Sequence, residues 1–94
     1  MNILTEADQL TAQDRNAVYG HPADDFARTA AIATAMGFTR NGKPLEAIDV
    51  PMFQECVKMS RWAHTPDHRD TLTDIAGYAR TAEMVINRRQ GEKS

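Results

Sequence analysis

Four groups of residues in this chain carry side chains suited to chemistry. The first is Tyr19-Gly20-His21-Pro22 running into Asp24-Asp25-Phe26. A glycine beside a helix start allows close approach to the backbone, and the free N–H groups of a helix N-terminus attract anions. In that setting Tyr19 would stack on a base, and His21 or Arg15 would meet phosphate. The plainer reading is a helix start in which His21 is the cap and Tyr19 fills the core. The second group is Lys58 and Arg61, at i and i+3 and therefore on one side of a helix. That spacing suits a two-point phosphate clamp. As an ordinary surface pair, the two cations would be neutralised by acids, with Asp74 as the natural partner.

The third group is His64, His68, Asp70 and Asp74. These are metal-ligand types, yet their spacing matches no dedicated zinc motif such as H-E-x-x-H. Asp70 and Asp74 stand one turn apart and would share a Mg²⁺ with substrate phosphates if the chain were an enzyme. Residues of these types also cap helices and close turns. The fourth group is Asp74-Ile75-Ala76-Gly77-Tyr78, in which Asp74 and Tyr78 share a helix face beside a glycine. That arrangement makes a pocket wall, or equally a buried Asp–Lys pair with a tyrosine plug. Cys56 has no neighbouring base to activate it and reads as packing.

The elements that must position these groups read as helices. Residues 4 to 13 form a short helix capped by Thr5, with Asp8 three positions later. Residues 14 to 21 continue it or turn, with Gly20 as punctuation. Pro22 opens a second helix over 22 to 36, with Asp24 and Asp25 in its first turn and Gly37 just past its end. Arg40-Asn41-Gly42-Lys43-Pro44 is the clearest turn signal, and 38 to 48 reads as a loop. A third helix starts near Asp49 as its cap and stops before Pro66. One face of it carries Phe53, Cys56/Val57, Ser60 and Ala63/His64, with Phe53 and Val57 expected in the core. Met52, Met59 and Trp62 line a neighbouring face, suited to core or subunit contact. A short connection leads to a fourth helix ending at 89. Its stripe Leu72, Ile75, Ala79, Ala82 and Val85/Ile86 is the strongest periodicity in the chain. Gly77 inside it costs about 1 kcal/mol relative to alanine, so a helix or a ligand is expected to approach there. The polar end Gln90 to Ser94 reads as frayed. The fold class expected is all-α, about four helices, the last two an antiparallel hairpin.

Length and composition bound the rest. The chain has 94 residues and 10.5 kDa, the size of one domain over 1–94. Area scaling gives roughly 5,400 Å² folded against about 15,200 Å² unfolded. Apolar residues are 41% of the chain, but alanine supplies 14 of them and aromatics are only 6%. A core built this way is thin, and subunit contacts are expected to complete it. The net charge of −2 argues against a duplex nucleic-acid binder. It leaves room for a small phosphorylated ligand, which needs two or three cations. One cysteine allows no disulfide framework and no cysteine zinc site within the chain. No leader-like segment and no membrane-length apolar run is apparent, so the chain reads as cytoplasmic, with no membrane partner.

The ordered set Arg15…Tyr19-Gly20-His21-Pro22…Asp25-Phe26…Lys58-x-x-Arg61…Asp70…Asp74-x-x-Gly77-Tyr78 resembles a small uncharacterised family of bacteriophage and prophage proteins. The likeness covers about residues 14 to 82. Some members are described as similar to MazG-type all-α nucleoside triphosphate pyrophosphatases. That resemblance implies Mg²⁺ held by glutamate-rich helices. This chain departs from the pattern. Thr71 stands three before Asp74 where a glutamate is expected, and the third helix offers Lys58 and Arg61, with Glu55 its lone glutamate. Phosphate binding fits these departures better than phosphate hydrolysis. A resemblance of type also exists to small helical phage proteins that sequester nucleotide signals of host immunity in pockets between subunits.

The expectation is therefore a helical homo-oligomer of phage type that binds a phosphorylated nucleotide without turnover and without a cofactor. Its ligand-binding residues are Arg15, Tyr19, Gly20, His21, Lys58, Arg61, Asp74 and Tyr78. An enzyme would instead place Mg²⁺ on Asp70 and Asp74, and an adaptor would inhibit a host protein through a helical face.

Overall fold

In the computed structural model, which describes residues 1–91, the chain forms four helices. Helix α1 spans 3–19. Asn2 caps it, its Oδ1 accepting from the Thr5 amide at 2.9 Å. The cap is thus three residues earlier than Thr5, because Asn2 is itself a strong capping residue placed in extended backbone. The helix is regular over Ile3–Gln9, widens to π geometry over Leu10–Asp14, and resumes over Arg15–Tyr19. Residues 14 to 19 are its continuation. In the wide turn the Arg15 amide donates to the Leu10 carbonyl. With its amide turned to satisfy both, the Asn16 side chain donates to the carbonyls of Thr11 at 2.8 Å and Gly20 at 3.2 Å. Gly20, at φ +79°, then reverses the chain.

Helix α2 is Pro22–Ala35. His21 caps it, with Nδ1 accepting from the Ala23 amide at 3.0 Å. Pro22 occupies the first turn, where its missing N–H costs nothing. The helix ends in a Schellman motif: Gly37 donates to Thr34 at 3.0 Å, and Phe38 to Ala33 at 3.1 Å. The loop that follows holds a tight turn at Asn41-Gly42, both at positive φ. Two 3.0 Å backbone bonds between Arg40 and Lys43 close it. It is the one strand-like contact among the described residues. Arg40 then reaches Glu46 at 2.8 Å and Asp49 at 2.7 Å, tying the loop to the next helix.

Helix α3 is Asp49–His64. Asp49 does not cap it, as its position suggested. Its carboxylate accepts from the Glu46 amide at 2.8 Å and pairs with Arg40. Burial would raise its pKa, but the Glu46 amide and Arg40 outweigh burial and hold it below the usual range. Helix α4, Arg69–Arg89, packs against all three others. Ion pairs fasten it to each neighbour: Arg69 to Glu6, Arg80 to Asp8 at 3.1 Å, Arg88 to Asp24 at 3.3 Å, and Lys58 to Asp74 at 3.0 Å. Gln90 caps its end and Gly91 has positive φ; the frayed end read for 92–94 lies outside the described residues.

The buried face of α4 differs from the one its periodicity suggests. Thr71, Thr73, Thr81, Ala82, Met84 and Val85 are buried, together with Ala7, Thr11, Pro22, Ala30 and Pro51 elsewhere. Of the expected stripe, Ala82 and Val85 are inside, while Leu72, Ala79 and Ile86 face outward. Apolar residues occupy two arcs of this helix, and period alone cannot choose between them. Small side chains on the other arc let three helices close on α4 at once. On α3 the expectation fails for Phe53, which is 68% exposed with Cys56, Ser60, Ala63 and His64 beside it, while Val57 is half-buried.

Two predictions follow from this packing. Met84→Ala should cost about 2–5 kcal/mol in urea unfolding, because the side chain is fully enclosed. Ile86→Ala, on the outer arc, should cost under about 1 kcal/mol. The cap at His21 should make stability depend on pH. Burial, and then the charge of Arg88, hold His21 below its ordinary value of 6.5. Its Nδ1 accepts a hydrogen bond only when unprotonated. The unfolded chain therefore takes up the proton first, and the cap's contribution is lost as pH falls from near 6.5 through the lower folded value. Thermal melts between pH 7.5 and 5.5 should show this loss. His21→Asn, whose oxygen caps without titrating, should flatten that part of the curve.

Candidate functional site

The wide turn of α1, the start of α2 and the middle of α4 enclose a cavity of about 110 Å³. Its walls are Thr11, Arg15, Asn16, Tyr19 and Gly20 from α1 and the turn after it, Asp25 and Phe26 from α2, and Asp74, Gly77 and Tyr78 from α4. The π turn matters here. It pushes one extra residue into each turn and so rotates Arg15, Asn16 and Tyr19 relative to the first half of the helix. Gly77 lies opposite: a Cβ there would sit 3.6 Å from the Thr11 methyl. The expected approach to this glycine is by a helix, at ordinary contact distance, and the glycine also lines the cavity.

A second, wider basin of about 460 Å³ lies between α3 and α4. Lys58, Arg61, His64 and His68 line it, with Thr65, Thr71 and Asp74. Asp74 borders both spaces. Its carboxylate takes Lys58 Nζ at 3.0 Å, and the Lys58 side chain is only 12% exposed. Lys58 is thus partly committed to structure. Arg61 and Arg15 are exposed and have no ion-pair partner among the described residues. The inner cavity therefore combines aromatic rings with two carboxylates and one arginine. The basin combines four basic side chains with one carboxylate. A ligand spanning both would present a flat, donor-bearing ring inward and an anionic group outward.

Of the residues expected at the site, Arg15, Tyr19, Gly20, Asp74 and Tyr78 meet at the inner cavity, and Lys58 and Arg61 meet Asp74 at the basin. His21 lines neither space and serves as the α2 cap. Tyr19 is 57% exposed at the rim, so it does not plug the core. Asp70 is exposed in the first turn of α4 and lines neither space. No group of three or more His, Cys, Asp or Glu side chains near enough to hold a metal occurs among the described residues. Glu55 has one carboxylate oxygen buried without a hydrogen-bond partner among the described residues, and burial pushes its pKa up. Asn16 was missed by sequence reasoning, since one asparagine inside a helical run carries no signal of a π turn. His64 and His68, whose types also suit a metal, line the basin, where their ring N–H groups can meet an anion.

Comparison with known proteins places the chain. Residues 2–86 match the family described as Domain of unknown function (DUF6378). The gene 55 protein of Mycobacterium phage D29 is 37% identical over 84 residues, covering 89% of this chain and 53% of that protein. The gene 55 protein of Mycobacterium phage L5 is 34% identical over 85 residues, covering 90% and 53%. The chain thus spans about half the length of these relatives. No solved structure matches it significantly. No helix among the described residues is long and apolar enough to cross a membrane. Most of the chain, including every residue that lines the two spaces, falls within the matched span, and the chain belongs to the DUF6378 family.

Proposed function

We propose that the chain binds a phosphorylated nucleotide without turning it over, as a phage-type helical homo-oligomer that sequesters a nucleotide signal of the host. The observation that carries this reading is the junction at Asp74. An aromatic, carboxylate-bearing cavity meets a basic basin there, and one carboxylate faces both. Tyr19, Phe26 and Tyr78 would hold the base, and Asn16 and Asp25 would meet its polar edge. Arg61, Lys58 and Arg15 would take phosphate. The short connection between α3 and α4, and the reach of Lys58 back to Asp74, support an antiparallel hairpin as the frame of the basin.

The distant likeness to MazG-type pyrophosphatases would require Mg²⁺ at Asp70 and Asp74. The Asp74 carboxylate is already held by an ammonium, so a metal there would have to displace a cation. Asp70 stands outside both spaces. Binding without hydrolysis fits this arrangement.

Arg61→Ala should weaken nucleotide binding by a factor of about ten to a hundred, with the melting temperature unchanged, since one charge-assisted contact is worth about 1.5–3 kcal/mol. Lys58→Ala should lose at least as much and also lower the melting temperature, because it leaves the Asp74 charge unpaired beside the phosphate. A nucleotide panel by calorimetry in EDTA, followed by chromatography for products, tests the reading as a whole. Binding should survive chelation and no product should form. Metal-dependent pyrophosphate release that vanishes in Asp74→Ala would establish an enzyme instead. Absence of both binding and hydrolysis would favour an adaptor for a host protein.

Gly77→Ala separates stability from binding. The added methyl meets Thr11 at ordinary distance, and alanine gains up to about 1 kcal/mol of helix propensity. The melting temperature should rise while affinity falls, because the same methyl narrows the inner cavity.

A further inference from the structure

Helix α3 is turned inside out. An ordinary surface helix buries its apolar stripe and shows its charges to water. In α3, Lys58 and Arg61 turn toward α4 and the basin, while Met52, Phe53, Cys56, Met59, Ser60 and Ala63 are all exposed. At 100° per residue these six fall within an arc of about 120°. No charged residue between Met52 and Ala63 shares that arc. Trp62, 45% exposed, lies outside the arc, about 60° from Met59 and past Glu55.

We infer that this outer face of α3 is the surface on which a second copy of the chain docks, α3 against α3 about a two-fold axis. Three observations commit the surface to a second copy. First, the chain exposes 6,318 Å², roughly 900 Å² more than area scaling gives for its mass. A standard interface removes about 800 Å² from each partner. Second, the face has no charge between Met52 and Ala63 and carries two methionines and a phenylalanine, types enriched in the core of a homodimer contact. A partner of complementary charge would find nothing to pair with. Third, the face has room for its own bulk: Met52 and Phe53 lie toward one end, and the small Ser60 and Ala63 flank Met59 toward the other. Antiparallel two-fold pairing sets the large end of each copy on the small end of its mate. The other exposed apolar groups are less exposed or less continuous. The outer arc of α4 is the nearest rival, but Leu72 is only 39% and Ile86 42% exposed, Ile75 is half-buried and Ala79 is small. Ile32, Met36 and Phe38 cluster only at the end of α2, and Leu4, Leu10 and Val18 are scattered along α1.

The midpoint of the face falls between Val57 and Lys58, so Cys56 of each copy lies near the axis. Helix axes in contact are about 8–10 Å apart. This inference rests on the homo-oligomer part of the proposed function and requires no ligand, so a monomer would overturn it while calorimetry alone decides nucleotide binding.

The test uses the full chain. Sedimentation at micromolar concentration should show twice the 10.5 kDa chain mass. A short bismaleimide should join Cys56 to Cys56 in high yield, since it is the sole cysteine. Phe53→Asp and Met59→Asp should each weaken association by roughly thirtyfold or more, with helical circular dichroism retained. Ile32→Asp, on α2, should leave the dimer intact. Should either α3 variant fail to fold, Met59→Gln and cross-linking of the unaltered chain still decide. A monomer overturns the inference. So does a dimer that survives both α3 substitutions, one that Ile32→Asp dissolves, or one in which Cys56 does not cross-link.

Discussion

Close approach around α4 is the constraint on which the rest of the structure depends. Three helices contact this one helix, and they can do so only because its inner arc is built from Thr71, Thr73, Gly77, Thr81 and Ala82. Larger side chains would hold the axes apart. The arrangement has a cost in apolar burial. Only Met84 and Val85 bring substantial apolar volume to the inner face, and the threonine hydroxyls need partners. They find them locally: Thr73 donates to Arg69 and Thr81 to Tyr78. Thr11 donates to Ala7 from across the contact. These three hydroxyls bond their own helix backbone and leave their methyl groups to the contact, while the Thr71 hydroxyl meets His68 Nδ1 at 3.1 Å. Ion pairs at the rims fasten what the thin core does not.

The same constraint makes the site. Thr11 of α1 packs on Gly77 at ordinary contact distance, and beyond the π turn residues 15–19 diverge from α4. The opening lies just beyond, between Tyr19, Phe26 and Tyr78. With its amide turned, Asn16 bridges the wide turn to the chain reversal, donating to the Thr11 and Gly20 carbonyls. Asp74 then stands on the ridge between cavity and basin. Its pairing with Lys58 sets the electrostatic boundary: carboxylates predominate inward and cations outward. A dipolar ligand would be oriented by that boundary before any specific contact forms.

The four helices were legible in the sequence because their ends carry strong local signals. Pro22 and Gly37 bracket α2, and Asn41-Gly42 marks the turn, through chemistry that acts within a few residues. The convergence of Lys58, Arg61 and Asp74 was legible from side-chain type and the i, i+3 spacing of the cations, although the phase that put Phe53 inward was not the one the helix adopts. What was not legible depends on contacts distant in sequence. Leu72, Ala79 and Ile86 have the better hydropathy on α4, yet neighbouring helices close on the threonine arc. Phe53 has the hydropathy of a core residue and lies outside. Thr5 lost the cap to Asn2, where two good capping residues compete within one turn. The role of His21 remained divided between cap and ligand, because Nδ1 serves either and only its position relative to Ala23 decides.

These misplacements have one physical origin. Hydropathy tells which residues leave water, not which surface they leave it for. A chain that buries its apolar groups only within itself should show one apolar arc per helix. In this chain α4 shows two, and α3 shows its single apolar arc on the outside. The threonine-lined contact surface of α4 joins the helices of one chain, and the methionine and aromatic surface of α3 is left over. If that surface is shared with a second copy, the inversion of α3 is a division of labour. Its polar side shapes a basin within the chain, and its apolar side supplies the burial that the thin core lacks. Lys58 and Arg61 then owe their orientation to Phe53 and Met59 on the opposite face, since a helix held from outside cannot rotate its cations away from Asp74.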